Sequence, residues 1–331
     1  MQRFGIIGGG AWGTALAQVL RRAGRDVVLW AHETETVTAI NRDHVNAPFL
    51  PGVALDPAIS ATTELGEAVR ADVLLLVPPA QHLRAICSAL ARAWRTGPIV
   101  ICTKGIEEES GALMSEAAGA ILPQSAFAVL SGPTFASEVA RGLPTAVTLA
   151  AADAELGQRL IAAMGTRHFR PYLSDDVVGA QIGGAVKNVL AIACGIVMGR
   201  GLGDNARAAL ITRGLAEMVR LAIGKGGKAE TLMGLSGLGD LTLTCSSTQS
   251  RNHALGMALG KGEALGDFLA ARRSVAEGVT SAAATATLAR KLAIEMPIVF
   301  AVDAILHHGA KIDEVIEGLL ARPFKPEIPA G

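Results

Sequence analysis

Two kinds of apolar patterning divide the chain. Up to about residue 172, short apolar runs at 3–8, 26–30, 72–77, 99–102, 127–130, 145–149 and 168–172 alternate with helical stretches. Those runs have strand length and are bounded by glycine, proline and polar turns. Residues 72–77 are almost continuously apolar, as expected of a strand covered on both faces. Helices are predicted over 14–22, with Gly24 at the C′ position, and over 153–164. Strands separated by helical segments predict a parallel, doubly wound sheet.

After Asp175 the period becomes helical and no run reads as a strand. Helices are predicted at about 175–198, 205–225, 229–235, 251–260, 264–270, 280–293, 298–308 and 311–320, punctuated by glycines at 199–203 and 224–227. The expected fold is an α/β N-terminal Rossmann-type doubly wound sheet over 1–178, followed by an all-α substrate-binding domain over 179–331. The small residues after Ala180 are suited either to internal packing or to a dimer face. The proline-rich stretch 322–331 is expected to be loosely held.

A length of 331 residues agrees with about two domains. With 50% hydrophobic residues, 18% charged residues and zero formal net charge, the chain lacks the basic excess of a nucleic-acid surface. The apolar run at 4–8 is too short for a signal peptide, and the one around 189–198 is about half the length of a membrane span. A cytoplasmic protein without membrane insertion is expected. The four cysteines, Cys87, Cys102, Cys194 and Cys245, are scattered and form no CxxC pair. They read as reduced packing residues. The seven histidines form no metal-ligand pattern, so no metal site is expected.

The most informative local pattern is Gly8-Gly9-Gly10-Ala11-Trp12-Gly13, between the first predicted strand and helix. Glycines at 8, 10 and 13 allow a tight turn, close approach of a pyrophosphate and close helix–strand packing, with the helix N-terminus facing the phosphates. This context makes a dinucleotide site the favoured reading over a bare glycine turn. At the end of the second strand, Ala31 occupies the place where a ribose-binding acid would most simply sit. His32 is suited to a 2′-phosphate and Glu33 to a 2′-hydroxyl; the ordinary alternative is that both are solvated loop residues. The balance favours NADP with NAD accepted.

Ligands of such sheets lie beyond the carboxyl ends of the strands. Lys104, in Thr103-Lys104-Gly105, is the cation placed there, although a surface lysine is the plain alternative. A second lysine, Lys187, interrupts the apolar run Gln181-Ile182-Gly183-Gly184-Ala185-Val186-Lys187-Asn188 and is the only long charged side chain between Asp176 and Arg200. Burial would lower its pKa and fit it for proton exchange near neutrality, whereas a snorkelling head would leave it inert. Asp240 stands in a glycine-rich apolar turn and reads either as a site carboxylate or as a turn residue. Ser250 is placed to cap a helix, and Arg251 offers a fork of donors suited to phosphate.

Taken together, GGGAWG, CTKG, LSGPTFASEVARGLPTAV, GGAVKNV, NARAALITRGLAEM, GLGDLTLTC, QSRN and AEG resemble the bacterial NAD(P)-dependent glycerol-3-phosphate dehydrogenase family over residues 8–278. The resemblance implies reversible reduction of dihydroxyacetone phosphate to sn-glycerol 3-phosphate, feeding glycerophospholipid synthesis. It implies Lys187 as proton donor and acceptor. Lys104, Gly132, Thr134, Asp240, Ser250, Arg251 and Asn252 would meet the substrate. Gly8, Gly10, Ala11, Trp12, Gly13, His32, Lys104, Ala136, Arg251, Val275 and Glu277 would meet the cofactor. Ala11 departs from members that carry serine there, leaving a backbone cradle. A homodimer and closure of the helical domain over the sheet are further expectations. The rivals are a hydroxyacid or ketopantoate-type reductase of the same architecture, which would need a carboxylate pocket, and a non-catalytic dinucleotide sensor.

Overall fold

The protein is described as a computed structural model covering residues 1–271, 277–324 and 326–327. The strands are β1 Arg3–Ile7, β2 Asp26–Trp30, β3 Val45–Asn46, β4 Leu50–Ala54, β5 Ser60–Thr62, β6 Val73–Leu76, β7 Pro98–Ile101, β8 Ala126–Ser131, β9 Thr145–Ala151 and β10 Phe169–Ser174. Helices of the same part are α1 Ala11–Arg22, α2 Thr34–Asp43, α3 Leu65–Ala68, α4 Leu83–Leu90, α5 Met114–Gly119, α6 Ala136–Arg141 and α7 Ala154–Met164. Eight strands form one sheet in the order β10-β9-β8-β7-β6-β1-β2-β5, while β3 and β4 make a separate hairpin. Alternate residues serve the two faces. Phe4, Ile6, Val73 and Leu75 join the core under α1, and Ile7, Leu74 and Leu76 join the opposite core with Leu83 and Trp94.

One expectation is corrected. The sheet is parallel except at β8 and β9, which pair antiparallel, with Val129 opposite Ala150. Their connection holds only the six residues of α6 as helix. That helix rises about 9 Å, too little to return the chain along a strand of about 20 Å, so the chain reverses beside β8. The first helix also begins three residues earlier than predicted, directly on the glycine loop. The hairpin and β5 were absent from the predicted strands: β3 and β5 have only two and three residues, and β4 is interrupted by Pro51-Gly52.

The second half is helical among the described residues: α8 Val177–Gly199, α9 Gly203–Gly224, α10 Ala229–Leu232, α11 Asp240–Ser246, α12 Arg251–Gly260, α13 Leu265–Ala270, α14 Glu277–Lys291, α15 Pro297–His307 and α16 Ile312–Leu320. Asp176 starts α8 by accepting from Gly179 N (2.8 Å). Every residue of α8 from Gly179 to Val197 is buried, so this apolar helix is the axis on which the others pack. Contrary to the expectation from the 189–198 run, α8 is long and apolar enough to span a membrane, but 89% of its most apolar window is enclosed by the rest of the fold. Its small-residue face packs internally: Gly195 and Gly199 lie against Gly256 and Gly260 of α12, and a Cβ at Gly195 would fall 2.2 Å from the His253 carbonyl oxygen. The segment after β7 crosses into this core through Ile106 and Leu113, so Lys104 rides on chain anchored to both halves. All four cysteines are buried and unbridged.

Candidate active site

The centre of the site is a carboxylate shared by two lysines. Asp240, wholly buried at the start of α11, accepts from Lys187 Nζ through Oδ1 (2.5 Å) and from Lys104 Nζ through Oδ2 (2.7 Å). Lys104 also donates to the Gly132 carbonyl oxygen (3.2 Å), which accepts from the Thr134 hydroxyl (3.2 Å). Thr244, one turn after Asp240, accepts from Lys187 (3.1 Å) and donates to the Asp240 carbonyl oxygen (2.6 Å). Lys104, Gly132, Thr134, Lys187 and Asp240, all singled out in the sequence, therefore form one network. Thr244 belongs to it as well; its spacing of four residues from Asp240 on a helix was the available signal.

Four segments bring these groups together. Lys104 follows β7, Gly132 and Thr134 follow β8, and Lys187 projects from α8. Asp240 is delivered by residues Leu235–Gly239, one wide helical turn closed by Gly239 N bonding to Gly234 O (3.1 Å). That turn touches α8 at Gly183, where a Cβ would lie 2.1 Å from the Ser236 carbonyl oxygen. The glycine is required there by close approach. The Ser131 hydroxyl is buried beside Gly184, with no hydrogen-bond partner among the described residues.

Burial pushes the Lys187 pKa down to about 8; Asp240 opposes the fall and Lys104 adds to it. Desolvating two ammonium groups and a carboxylate is costly, and a buried ion cluster of this kind is weak support for stability. What it provides is a lysine able to release and regain a proton near neutral pH, held in place by Asp240 and Thr244.

The glycine loop fits a dinucleotide. Gly8 has φ of +131°, and a Cβ at Gly13 would lie 1.9 Å from the Gly8 carbonyl oxygen, so both positions demand glycine. Among the described residues no side chain caps α1, leaving its first-turn amides for an anion. Gly10 faces open space. The Trp12 indole N–H is buried without a hydrogen-bond partner among the described residues. Ala31 is buried with its methyl group against Gly9, which leaves no room for an acid at that position, and His32 and Glu33 are exposed beyond it.

Comparison with known proteins agrees with this geometry at both ends of the chain. Residues 3–157 match the NAD-dependent glycerol-3-phosphate dehydrogenase N-terminus, and residues 176–317 match the C-terminus of the same family. The chain belongs to the NAD-dependent glycerol-3-phosphate dehydrogenase family. The glycerol-3-phosphate dehydrogenase [NAD(P)+] of Rhodospirillum rubrum is 59% identical over 324 residues, covering 97% of this chain and 93% of that protein. The crystal structure of the Coxiella burnetii glycerol-3-phosphate dehydrogenase is 40% identical, covers 97% of this chain and 99% of that one, and superposes with a TM-score of 0.94. A ketopantoate reductase from Ralstonia eutropha shares the fold at a TM-score of 0.62 and 18% identity, a likeness of architecture alone.

The remaining residues implied by the family resemblance are placed less uniformly. Ser250 caps α12 by accepting from His253 N (3.2 Å). Asn252 is buried and accepts from Gly278 N through Oδ1 (2.9 Å), joining α12 to the first turn of α14 and leaving its Nδ2 for another acceptor. Arg251 is exposed and makes no hydrogen bond or ion pair among the described residues. Ala136 opens α6, Glu277 opens α14, and the His32 ring lies 6.3 Å from that of Trp30. Val275 lies outside the described residues.

Proposed function

We propose that this chain catalyses the reversible reduction of dihydroxyacetone phosphate to sn-glycerol 3-phosphate, with Lys187 as proton donor in reduction and acceptor in oxidation. The observation that carries the reading is the buried Asp240 carboxylate bonded to both Lys187 and Lys104. NADPH or NADH, held on the glycine loop, supplies the hydride. As charge develops on the ketone oxygen, the Lys187 ammonium stabilises it and then gives up its proton. Lys104 adds positive charge beside the same oxygen, and Asp240 and Thr244 aim the Lys187 head group. Arg251, Asn252 and Ser250 hold the phosphate, an unreactive handle that positions the carbonyl.

NADPH is the preferred cofactor and NADH is accepted: with Ala31 filling the space at the end of β2, His32 is left to face a 2′-phosphate. Gly132, Thr134, Ala136, Val275 and Glu277 complete the contacts. The working division is a cofactor domain over 1–178 and a substrate domain over 179–331 that closes on binding. The setting is a cytoplasmic homodimer supplying glycerophospholipid synthesis.

The test is steady-state oxidation of NADPH and of NADH with dihydroxyacetone phosphate, and with ketopantoate as the rival substrate. Turnover of dihydroxyacetone phosphate that is lost in folded Lys187→Ala supports the assignment. Turnover of ketopantoate alone, or none with either cofactor, overturns it.

A further inference from the structure

Asn46 lies outside the glycine fingerprint, on the small hairpin of β3 and β4, yet its carboxamide reaches the fingerprint's backbone. It is fully buried, and its Nδ2 donates to the Gly9 carbonyl oxygen (2.8 Å) and to Thr14 Oγ1 (2.7 Å). The hairpin carrying it is tied to α1 by Gln18, whose Nε2 donates to Ala54 O (2.9 Å) and whose Oε1 accepts from Asp56 N (2.9 Å). Leu50 and Val53 anchor it in the core under α1.

We propose that Asn46 is a positioning residue for the cofactor's pyrophosphate, acting through the Gly9–Gly10 peptide. A trans peptide is planar, so its carbonyl and N–H point in opposite directions. Drawing the Gly9 carbonyl inward to Asn46 turns the Gly10 N–H away from Asn46, and Gly10 itself borders open space, since a Cβ on it would meet nothing within 4 Å. The same bond removes the partial negative charge of the Gly9 oxygen from the region that receives the phosphates. Without it, that carbonyl is a buried acceptor with only the Thr14 hydroxyl within reach among the described residues, at 3.5 Å, and the peptide's orientation is less strongly held. The packing of Gly9 on Ala31 limits where the loop's backbone sits, whereas Asn46 sets which way its amide faces. This role rests on the reading that the glycine loop holds the pyrophosphate.

Two near-isosteric variants test it, Asn46→Leu and Asn46→Asp. The readout is the Kd for NADPH without substrate, from quenching of tryptophan fluorescence, with thermal unfolding as the measure of folding. Loss of the donor in Asn46→Leu is expected to weaken NADPH about tenfold, the equivalent of one buried hydrogen bond. Asn46→Asp is expected to lose more, because its carboxylate repels the Gly9 oxygen that it faces and drives that peptide out of its orientation. In both, the KM for dihydroxyacetone phosphate at saturating NADPH stays within about threefold of wild type, since the substrate contacts are untouched. Folded variants that bind NADPH as wild type does overturn the proposal. So does an equal loss in both constants, or failure of both variants to fold, either of which makes Asn46 a general structural residue. Absence of NADPH binding by the wild type removes the pyrophosphate reading itself, and the proposal with it.

Discussion

Lys187 Nζ lies 2.5 Å from Asp240 Oδ1, and neither side chain is more than 7% exposed. The carboxylate does not belong to Lys187 alone, because its other oxygen is taken by Lys104. Two cations around one anion leave a net positive site in a largely buried region. Such a site favours an oxygen acquiring negative charge and disfavours a permanently protonated Lys187.

Removing the Lys187 amine should cost activity far more than structure. Lys187→Ala is expected to lower kcat by about 10²–10⁴, the usual contribution of a positioned acid–base group. NADPH affinity should stay within a fewfold of wild type. Steady-state kinetics beside a cofactor titration checks this; a variant with wild-type kcat would remove Lys187 from the chemistry.

The depressed pKa gives the two directions opposite pH dependence. Ketone reduction needs Lys187 protonated, so its kcat/KM is expected to fall as pH rises through about 8. Alcohol oxidation needs the free amine and should rise over the same window. The limbs are read from pH–rate profiles in both directions, and Lys187→Ala should lack the inflection.

Asp240→Asn keeps the shape but removes the charge between two ammonium groups. The lysines then repel, and the Lys187 pKa falls further. The inflection in reduction should move to lower pH, and the folded state should lose about 3–5 kcal/mol, as when one partner of a buried pair is removed. Denaturant melts and the pH profile measure the two effects separately.

Gly183→Ala tests the delivery of Asp240. A Cβ there would lie 2.1 Å from the Ser236 carbonyl oxygen, so α8 and the wide turn must separate. Overpacking is expected to cost about 1–3 kcal/mol. Because the turn leads directly into Asp240, kcat should fall more than tenfold even where the variant remains folded. Activity equal to wild type would show that the turn tolerates displacement.

A second buried carboxylate predicts a stability effect away from the site. Glu217 of α9 accepts from Ile298 N (2.8 Å) and Val299 N (3.2 Å) at the start of α15, and burial pushes its pKa up to about 7 despite those bonds. A carboxyl whose folded pKa lies above its unfolded value gives stability below the unfolded pKa, and this is lost as pH rises through the folded one. Its contribution should therefore decline between about pH 4.5 and pH 7 by up to a few kcal/mol. Glu217→Gln should flatten that part of the stability–pH curve, measured by urea unfolding.

Parts of this arrangement were legible in the chain because local backbone chemistry requires particular residues. Gly8 and Gly13 stand where a Cβ has no room, and the run from Phe4 into α1 announces the loop that needs them. Lys187 was conspicuous because an ammonium group is out of place in the apolar sequence of α8. Asn46 was hidden for the opposite reason: an asparagine near a turn is ordinary, and only its partners reveal its work, whereas Thr244 was signalled solely by its four-residue spacing from Asp240. Arg251 is exposed and makes no hydrogen bond or ion pair among the described residues, and exposed His32 meets the Trp30 ring, so neither placement goes beyond what the motifs implied.

The sequence by itself determined the glycine loop, most of the strands of the main sheet and the helical second half, because each depends on period, turn chemistry and neighbours a few residues apart. Tertiary structure alone decided the reversal of β9, the lodging of Asn46 under the loop, and the sharing of Asp240 by lysines 53 and 136 residues away. Those depend on which surfaces meet when elements pack. A buried charge takes its pKa and its partners from that meeting, which no local pattern encodes.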